Sequence, residues 1–136
     1  MLLKEGQIIE AYDFMDSIRG TAQKIASLYL RDIAYIELEP ARHYHHLFQP
    51  IDTWIEQAIE IILSHTTDNA PTSFPDKKKL IVKLCREAEC SPIEFNQGAW
   101  FAGSIIAEDY GTLKDITENK EKAEELIMEK IKESKN

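Results

Sequence analysis

Apolar positions in the first third of the chain recur at the spacing of a helix. They step by three and four from Ile8 to Ile36, which places them on one face of an α-helix. A helix over residues 7–38 would be about 48 Å long, against roughly 35 Å across a compact domain of this size. Gly20 is the natural point for a kink, but the stripe keeps its phase across it, so the pattern predicts one long helix that Pro40 ends. The stripe comprises Ile8, Tyr12, Met15, Ile18, Ala22, Ile25, Tyr29, Ile33 and Ile36.

Helical spacing continues through residues 44–62, where Pro50 either ends a short helix or kinks a longer one. Residues 64–75 combine polar side chains and prolines without an apolar period, which predicts the longest loop. Two later helix starts carry capping residues. Ser73 precedes one helix, and Ser91 precedes another whose first residue is a proline.

Residues 96–107 are apolar on nearly every side, which predicts the central and most buried helix. Small residues stand at every fourth position of this helix, at Ala99, Gly103 and Ala107, and they allow a second helix to approach closely. Gly111 is predicted to end the helix, because glycine readily adopts the left-handed conformation of a helix C-terminus.

The last predicted helix covers residues 112–134. One of its faces is apolar and the opposite face carries mixed charge. On the charged face Glu118 and Lys122 stand in the i,i+4 order that favours an ion pair.

These patterns predict an all-α fold: a single-domain irregular helical bundle of five to six helices with a long N-terminal helix. A chain of 136 residues suits one domain. We expect that domain to span residues 1–136, with frayed ends over residues 1–6 and 133–136.

The charge balance narrows the class of partner. Lys and Arg number 16 and Asp and Glu number 24, so the formal net charge is −8, spread along the chain. Phosphate backbones are bound through Lys and Arg, so we expect no direct nucleic-acid binding. The one basic run, residues 77–79, is interpreted as a solvated helix face. No stretch approaches the ~20 apolar residues of a membrane span, and the first residues do not resemble a secretion signal, so we expect a cytoplasmic protein without membrane contact.

The two cysteines, Cys85 and Cys90, are five positions apart, which matches neither a C-x-x-C motif nor a zinc half-site. Within one helix they would lie about 140° apart around the axis, so an intrahelical disulfide is not expected. We interpret them as two ordinary thiols of a reducing compartment.

Three of the four histidines cluster between residues 43 and 46. If this piece is helical, His43 and His46 share a face, with Glu39 one turn earlier and His65 available from the end of a later helix. Imidazole and carboxylate groups can together bind a divalent transition metal. The alternative is an exposed or interfacial cluster without metal, and the sequence favours no cofactor because the usual helical metal-binding motifs are absent.

Aromatic residues concentrate in the two most apolar regions and are candidates for an interface or a pocket, where such side chains are enriched. The candidates are Tyr44, Phe48, Trp54, Trp100 and Phe101.

The sequence contains no glycine-rich phosphate loop and no nucleophile elbow, so it favours a protein without catalytic activity. We expect a cytoplasmic helical interaction module that self-associates as a homodimer or binds another protein. The reason is that the apolar stripe of the N-terminal helix is longer than the domain, so a second molecule must bury part of it. Two alternatives remain open: a helical metal-binding enzyme or sensor built on His43 and His46, and a small protein-contacting subunit of a nucleic-acid-processing assembly.

Overall fold

The computed structural model describes residues 7–20, 23–37 and 42–135, with side chains described for 7–20, 23–33 and 45–135. Across these residues the regular structure is helical and no strand occurs, which confirms the all-α prediction. Seven α-helices occur in the described ranges, more than the five to six expected. They are α1 (Gln7–Ser17), α2 (Gln23–Glu37), α3 (Thr53–Leu63), α4 (Phe74–Glu87), α5 (Pro92–Phe101), α6 (Tyr110–Glu118) and α7 (Lys120–Ser134). A 3₁₀ helix covers Arg42–Phe48, and a π-helical segment covers Ala102–Ala107.

The chain divides into two compact units. The first unit comprises Met1–Asp52 and Ala70–Asn96, and the second comprises Thr53–Asn69 and Gln97–Asn136. No described helix is both long enough and apolar enough to cross a membrane.

The N-terminal region contains two helices where the apolar stripe predicted one. α1 ends at Ser17 and α2 begins at Gln23. Between them Gly20 has φ +90°, a left-handed conformation that cannot continue a right-handed helix. The stripe marks a buried position in α1, where Ile8 is buried, but it does not mark the buried side of α2. In α2 the stripe residues Ile25 and Tyr29 are exposed, whereas Ala26 and Leu30 beside them are buried.

The core of the first unit joins four separate elements. Tyr12 and two other partly buried side chains, Ala11 and Leu47, pack against it. Its buried members are Ile8 of α1, Leu30 of α2, Phe48 of the 3₁₀ helix and Ile93 of α5.

The core of the second unit is formed by α3, the π-helical segment, α6 and α7. Trp54 of α3 lies directly over Gly103, where an added Cβ would stand 2.5 Å from Trp54 Cε3. The prediction that small residues here allow a close approach is therefore confirmed at Gly103. The buried members of this core are Ile61, Ile106, Ala107, Leu113 and Ile116.

Two of the predicted helix starts are confirmed by capping hydrogen bonds. The Asp76 N–H donates to Ser73 Oγ over 3.2 Å, and the Glu94 N–H donates to Ser91 Oγ over 3.4 Å. These starts were predictable because an N-cap depends only on residues within one turn of it.

The predicted helix stop at Gly111 is wrong. The helical path ends three residues earlier, where Glu108 has φ +63° and its N–H donates to the Gly103 carbonyl over 2.8 Å. Gly111 lies in the first turn of α6, which Asp109 caps by accepting from the Thr112 N–H.

The last predicted helix is divided at Asn119. Asn119 has an extended backbone and caps α7, with its Oδ1 accepting from the Lys122 N–H. The break separates Glu118 from Lys122, so the predicted pair does not form. Lys122 instead pairs with Asp115, and Glu118 pairs with His65.

Candidate functional site

The structure distributes the predicted metal ligands over both units. His46 lies on the 3₁₀ helix of the first unit, where it is partly buried, whereas His65 follows α3 in the second. His65 Nε2 stands 3.2 Å from Glu118 Oε1. Glu39 and the side chain of His43 lie outside the described residues. Within the described part of the chain, no three His, Cys, Asp or Glu side chains converge to form a metal site.

The predicted interface residues have different environments. Phe48 is 2% exposed and belongs to the core of the first unit. Trp54 is half-buried against Gly103. Trp100 and Phe101, by contrast, are exposed. The side chain of Tyr44 lies outside the described residues.

Three large apolar side chains are exposed on α5 and the π-helical segment that follows it. Trp100 is 42% exposed, Phe101 is 49% exposed and Ile105 is 42% exposed. We call these three side chains the aromatic face. Phe101 and Ile105 are four residues apart, about one turn, so their side chains share one side of the helix. The helix predicted over residues 96–107 was expected to be the most buried one, and this prediction is wrong for the side that carries the aromatic face. Ile106 and Ala107 of the same segment are buried.

The aromatic face carries no charged group of its own. No Asp, Glu, Lys or Arg occurs between Glu94 and Glu108. The Ser104 hydroxyl donates to the Trp100 carbonyl over 2.7 Å, so its hydrogen atom is held within the helix. Glu108 at the end of the segment pairs with Lys130 of α7, 3.2 Å away. The face is thus apolar with an ion pair at its border.

A buried lysine in the first unit was missed by the sequence interpretation. Lys78 of α4 is 4% exposed, so its place in the basic run does not make it part of a solvated face. Its Nζ donates to Ser27 Oγ over 2.6 Å and to Tyr12 Oη over 3.1 Å, and it lies 4.9 Å from the Tyr12 ring centroid. The spacing of the residues could have indicated this burial, because Lys78 stands in helical phase with the buried Ile81 and Cys85.

Burial lowers the pKa of Lys78 to about 8, since an ammonium group loses its hydration there, while the charge of Asp16 opposes this shift. The pKa of Tyr12 is raised, first by burial and then by Asp16. A lysine with a lowered pKa can act as a base or nucleophile. Here Nζ is enclosed and hydrogen-bonded to Ser27, so the arrangement fits a buried polar contact among α1, α2 and α4.

A cavity of about 510 Å³ opens in the first unit at the C-terminal end of α4. Both cysteines line it, although nothing in their spacing indicated that they lie together. The lining residues are His45, Val82, Cys85, Arg86, Glu89, Cys90, Ser91 and Pro92.

Comparison with known proteins adds little to this picture. No protein-family model and no solved structure matches the chain. An uncharacterized protein from Methanocaldococcus jannaschii is 41% identical over 63 residues, in an alignment that covers 43% of this chain and 14% of that protein. The chain therefore matches only about a seventh of the relative's length, and the likeness carries no function with it.

Proposed function

We propose that the protein is a non-catalytic helical interaction module that self-associates through the aromatic face. The observation that supports this proposal is the joint exposure of Trp100, Phe101 and Ile105 on one helical path. Clustered exposed apolar side chains on soluble proteins commonly mark interaction sites, and tryptophan is prominent among the residues that dominate binding energy.

A second copy of this chain is the partner that fits the face best. The protein is acidic overall, with a formal net charge of −8, so two copies repel each other over most of their surfaces. At the aromatic face two copies can meet without bringing carboxylates of that segment together, because it carries no charge between Glu94 and Glu108. A two-fold contact would set the same apolar side chains of both copies against each other.

The proposal includes a cytoplasmic location. Its support is that Cys85 and Cys90 are both free thiols, as is usual in a reducing compartment. Cell fractionation tests this part, and recovery of the protein from an oxidising compartment would contradict it.

Sedimentation velocity of the full chain tests the self-association. We expect the wild type at about 10 µM, well above the Kd of a micromolar dimer, to sediment at twice its mass of 15.7 kDa. Phe101→Glu should sediment as a monomer, because it places a carboxylate in the contact. Phe14→Glu is the matched control: Phe14 is 66% exposed on α1, in the first unit, and its replacement should leave the dimer intact.

Two results would overturn the proposal. One is a wild-type monomer at this concentration, and the other is a Phe101→Glu variant that remains dimeric while circular dichroism shows it folded. If Phe14→Glu alone abolished the dimer, the contact would belong to the N-terminal helices instead.

A further inference from the structure

The turn that ends α4 brings the two cysteines together. Glu89 has φ +54°, its N–H donates to the Arg86 carbonyl over 3.2 Å, and the Cys90 N–H donates to the Cys85 carbonyl over 2.9 Å. This pair of bonds defines a Schellman motif, in which the side chains at the positions of Cys85 and Cys90 commonly touch. Cys90 lies beyond the left-handed Glu89, so the two cysteines do not stand about 140° apart on one continuous helix as predicted.

The two thiols have unequal surroundings. Cys85 is 2% exposed, whereas Cys90 is exposed to solvent. Burial raises the pKa of the Cys85 thiol to about 12, and a hydrogen bond with the Cys90 thiol adds to the effect. One thiol is therefore accessible to a reagent, and the other is held protonated beside it.

The cavity provides room for a reagent next to both sulfur atoms. Its volume of about 510 Å³ lies within the range of small-molecule sites. Its charged lining residues are Arg86, whose guanidinium offers a positive charge to an anionic ligand, and Glu89, whose carboxylate an anionic ligand must avoid. Low-molecular-weight peptide thiols such as glutathione carry carboxylate groups, and so do their disulfides. Both are therefore anionic ligands.

We propose that Cys85 and Cys90 form a redox site that undergoes thiol–disulfide exchange with low-molecular-weight disulfides. The Cys90 thiol loses its proton to solvent, and the thiolate attacks one sulfur of the disulfide RSSR. The S–S bond of RSSR breaks, a mixed disulfide forms at Cys90, and one RS⁻ leaves and takes up a proton.

The buried thiol then completes the exchange. As the Cys85 sulfur attacks Cys90 Sγ, the bond between Cys90 Sγ and RS breaks, and the Cys85 proton passes to the departing RS⁻, which leaves as a second RSH. In the net reaction RSSR is reduced to two RSH, and the dithiol is oxidised to the Cys85–Cys90 disulfide. The proximity of the second thiol makes this step intramolecular, which favours it over a long-lived mixed disulfide.

Glutathione disulfide and intact-protein mass spectrometry test the site on the full chain. The wild type should lose two hydrogen atoms and carry no glutathione at the end of the reaction. Cys85→Ala should accumulate a stable adduct of one glutathione at Cys90, because it lacks the resolving thiol. Cys90→Ala should remain largely unmodified, because its remaining thiol is buried.

Phenylarsine oxide gives a second measurement that needs no variant. It bridges two neighbouring thiols, so one equivalent should protect both Cys85 and Cys90 of the wild type from alkylation by iodoacetamide in denaturant, where an unbridged Cys85 is exposed. The proposal is overturned if the wild type accumulates the Cys90 adduct as its end product, if it stays fully reduced in excess glutathione disulfide, or if phenylarsine oxide leaves either thiol open to alkylation.

Discussion

Gly103 allows the π-helical segment to pack closely against α3 in the second unit, because its side chain is a hydrogen atom where alanine would have a methyl group. A Cβ there would stand 2.5 Å from Trp54 Cε3 and 2.6 Å from Trp54 Cδ2, both atoms of a rigid ring. We therefore predict that Gly103→Ala lowers the free energy of unfolding by about 1–3 kcal/mol, the usual cost of overpacking. Urea denaturation followed by circular dichroism measures the loss.

Gly98 provides the matched control for this substitution. It lies on the same helical path in α5, and a Cβ added there would meet nothing within 4 Å. Gly98→Ala should raise the unfolding free energy by about 0.5–1 kcal/mol, because alanine favours a helix interior. Equal effects of the two substitutions would contradict close packing at Gly103.

Lys78 makes the stability of the first unit depend on pH. Its pKa falls from 10.5 in the unfolded chain to about 8 in the folded one. The unfolded state therefore binds more protons between these values, and stability rises with pH across this window. From pH 7 to pH 9 we predict a gain of about 1 kcal/mol, measured by urea denaturation. The range stops at 9 because the raised pKa of the Cys85 thiol, and at higher pH that of Tyr12, acts in the opposite direction.

Lys78→Met separates this effect from other titrations. The methionine keeps much of the side-chain volume and removes the buried ammonium group. The variant should be at least as stable as the wild type at pH 7, because replacing a buried charge by an apolar group is often neutral or stabilising. Its stability should not rise between pH 7 and pH 9. A rise equal to that of the wild type would assign the effect to another group.

At the scale of whole elements, the break between α1 and α2 depends on the backbone of Gly20. An added Cβ would meet nothing within 4 Å, so only its φ of +90° opposes a larger residue. Gly20→Ala should therefore lower the unfolding free energy by about 1–2 kcal/mol. Gly98→Ala is again the control, since it adds the same methyl group in open space without a positive φ. If Gly20→Ala were instead as stable as wild type, φ at this position would not limit the turn.

Helix starts were predictable from the sequence where they depend only on neighbouring residues. The caps at Ser73 and Ser91 follow from residues within one turn, and they are confirmed. The break at Gly20 was missed because the apolar spacing runs on unbroken across it, although α2 exposes Tyr29 of the stripe and buries Leu30 beside it. Asn119 was missed because an asparagine inside a helical pattern gives little warning that it caps a new helix.

Some features of the candidate sites were also predictable from the sequence, and others were not. Trp100 and Phe101 were identified as interface candidates from composition, and both prove exposed. The pairing of Cys85 with Cys90 could not be read from their spacing, because it depends on the left-handed turn at Glu89. A positive φ at a glutamate has no sequence signature comparable to that of glycine.

At the scale of the whole molecule, net charge and the aromatic face act in opposite directions on self-association. Two copies of charge −8 repel each other, and this repulsion is screened by salt, since the Debye length is about 10 Å at 0.1 M and about 3 Å at 1 M. The apolar contact itself is not weakened by NaCl. We therefore predict that raising NaCl from about 0.05 to 0.5 M lowers the dimer Kd severalfold in sedimentation equilibrium. Phe101→Glu should stay monomeric at both salt concentrations, and a dimer that dissociates as salt is added would mean that ion pairs, rather than Trp100, Phe101 and Ile105, hold it together.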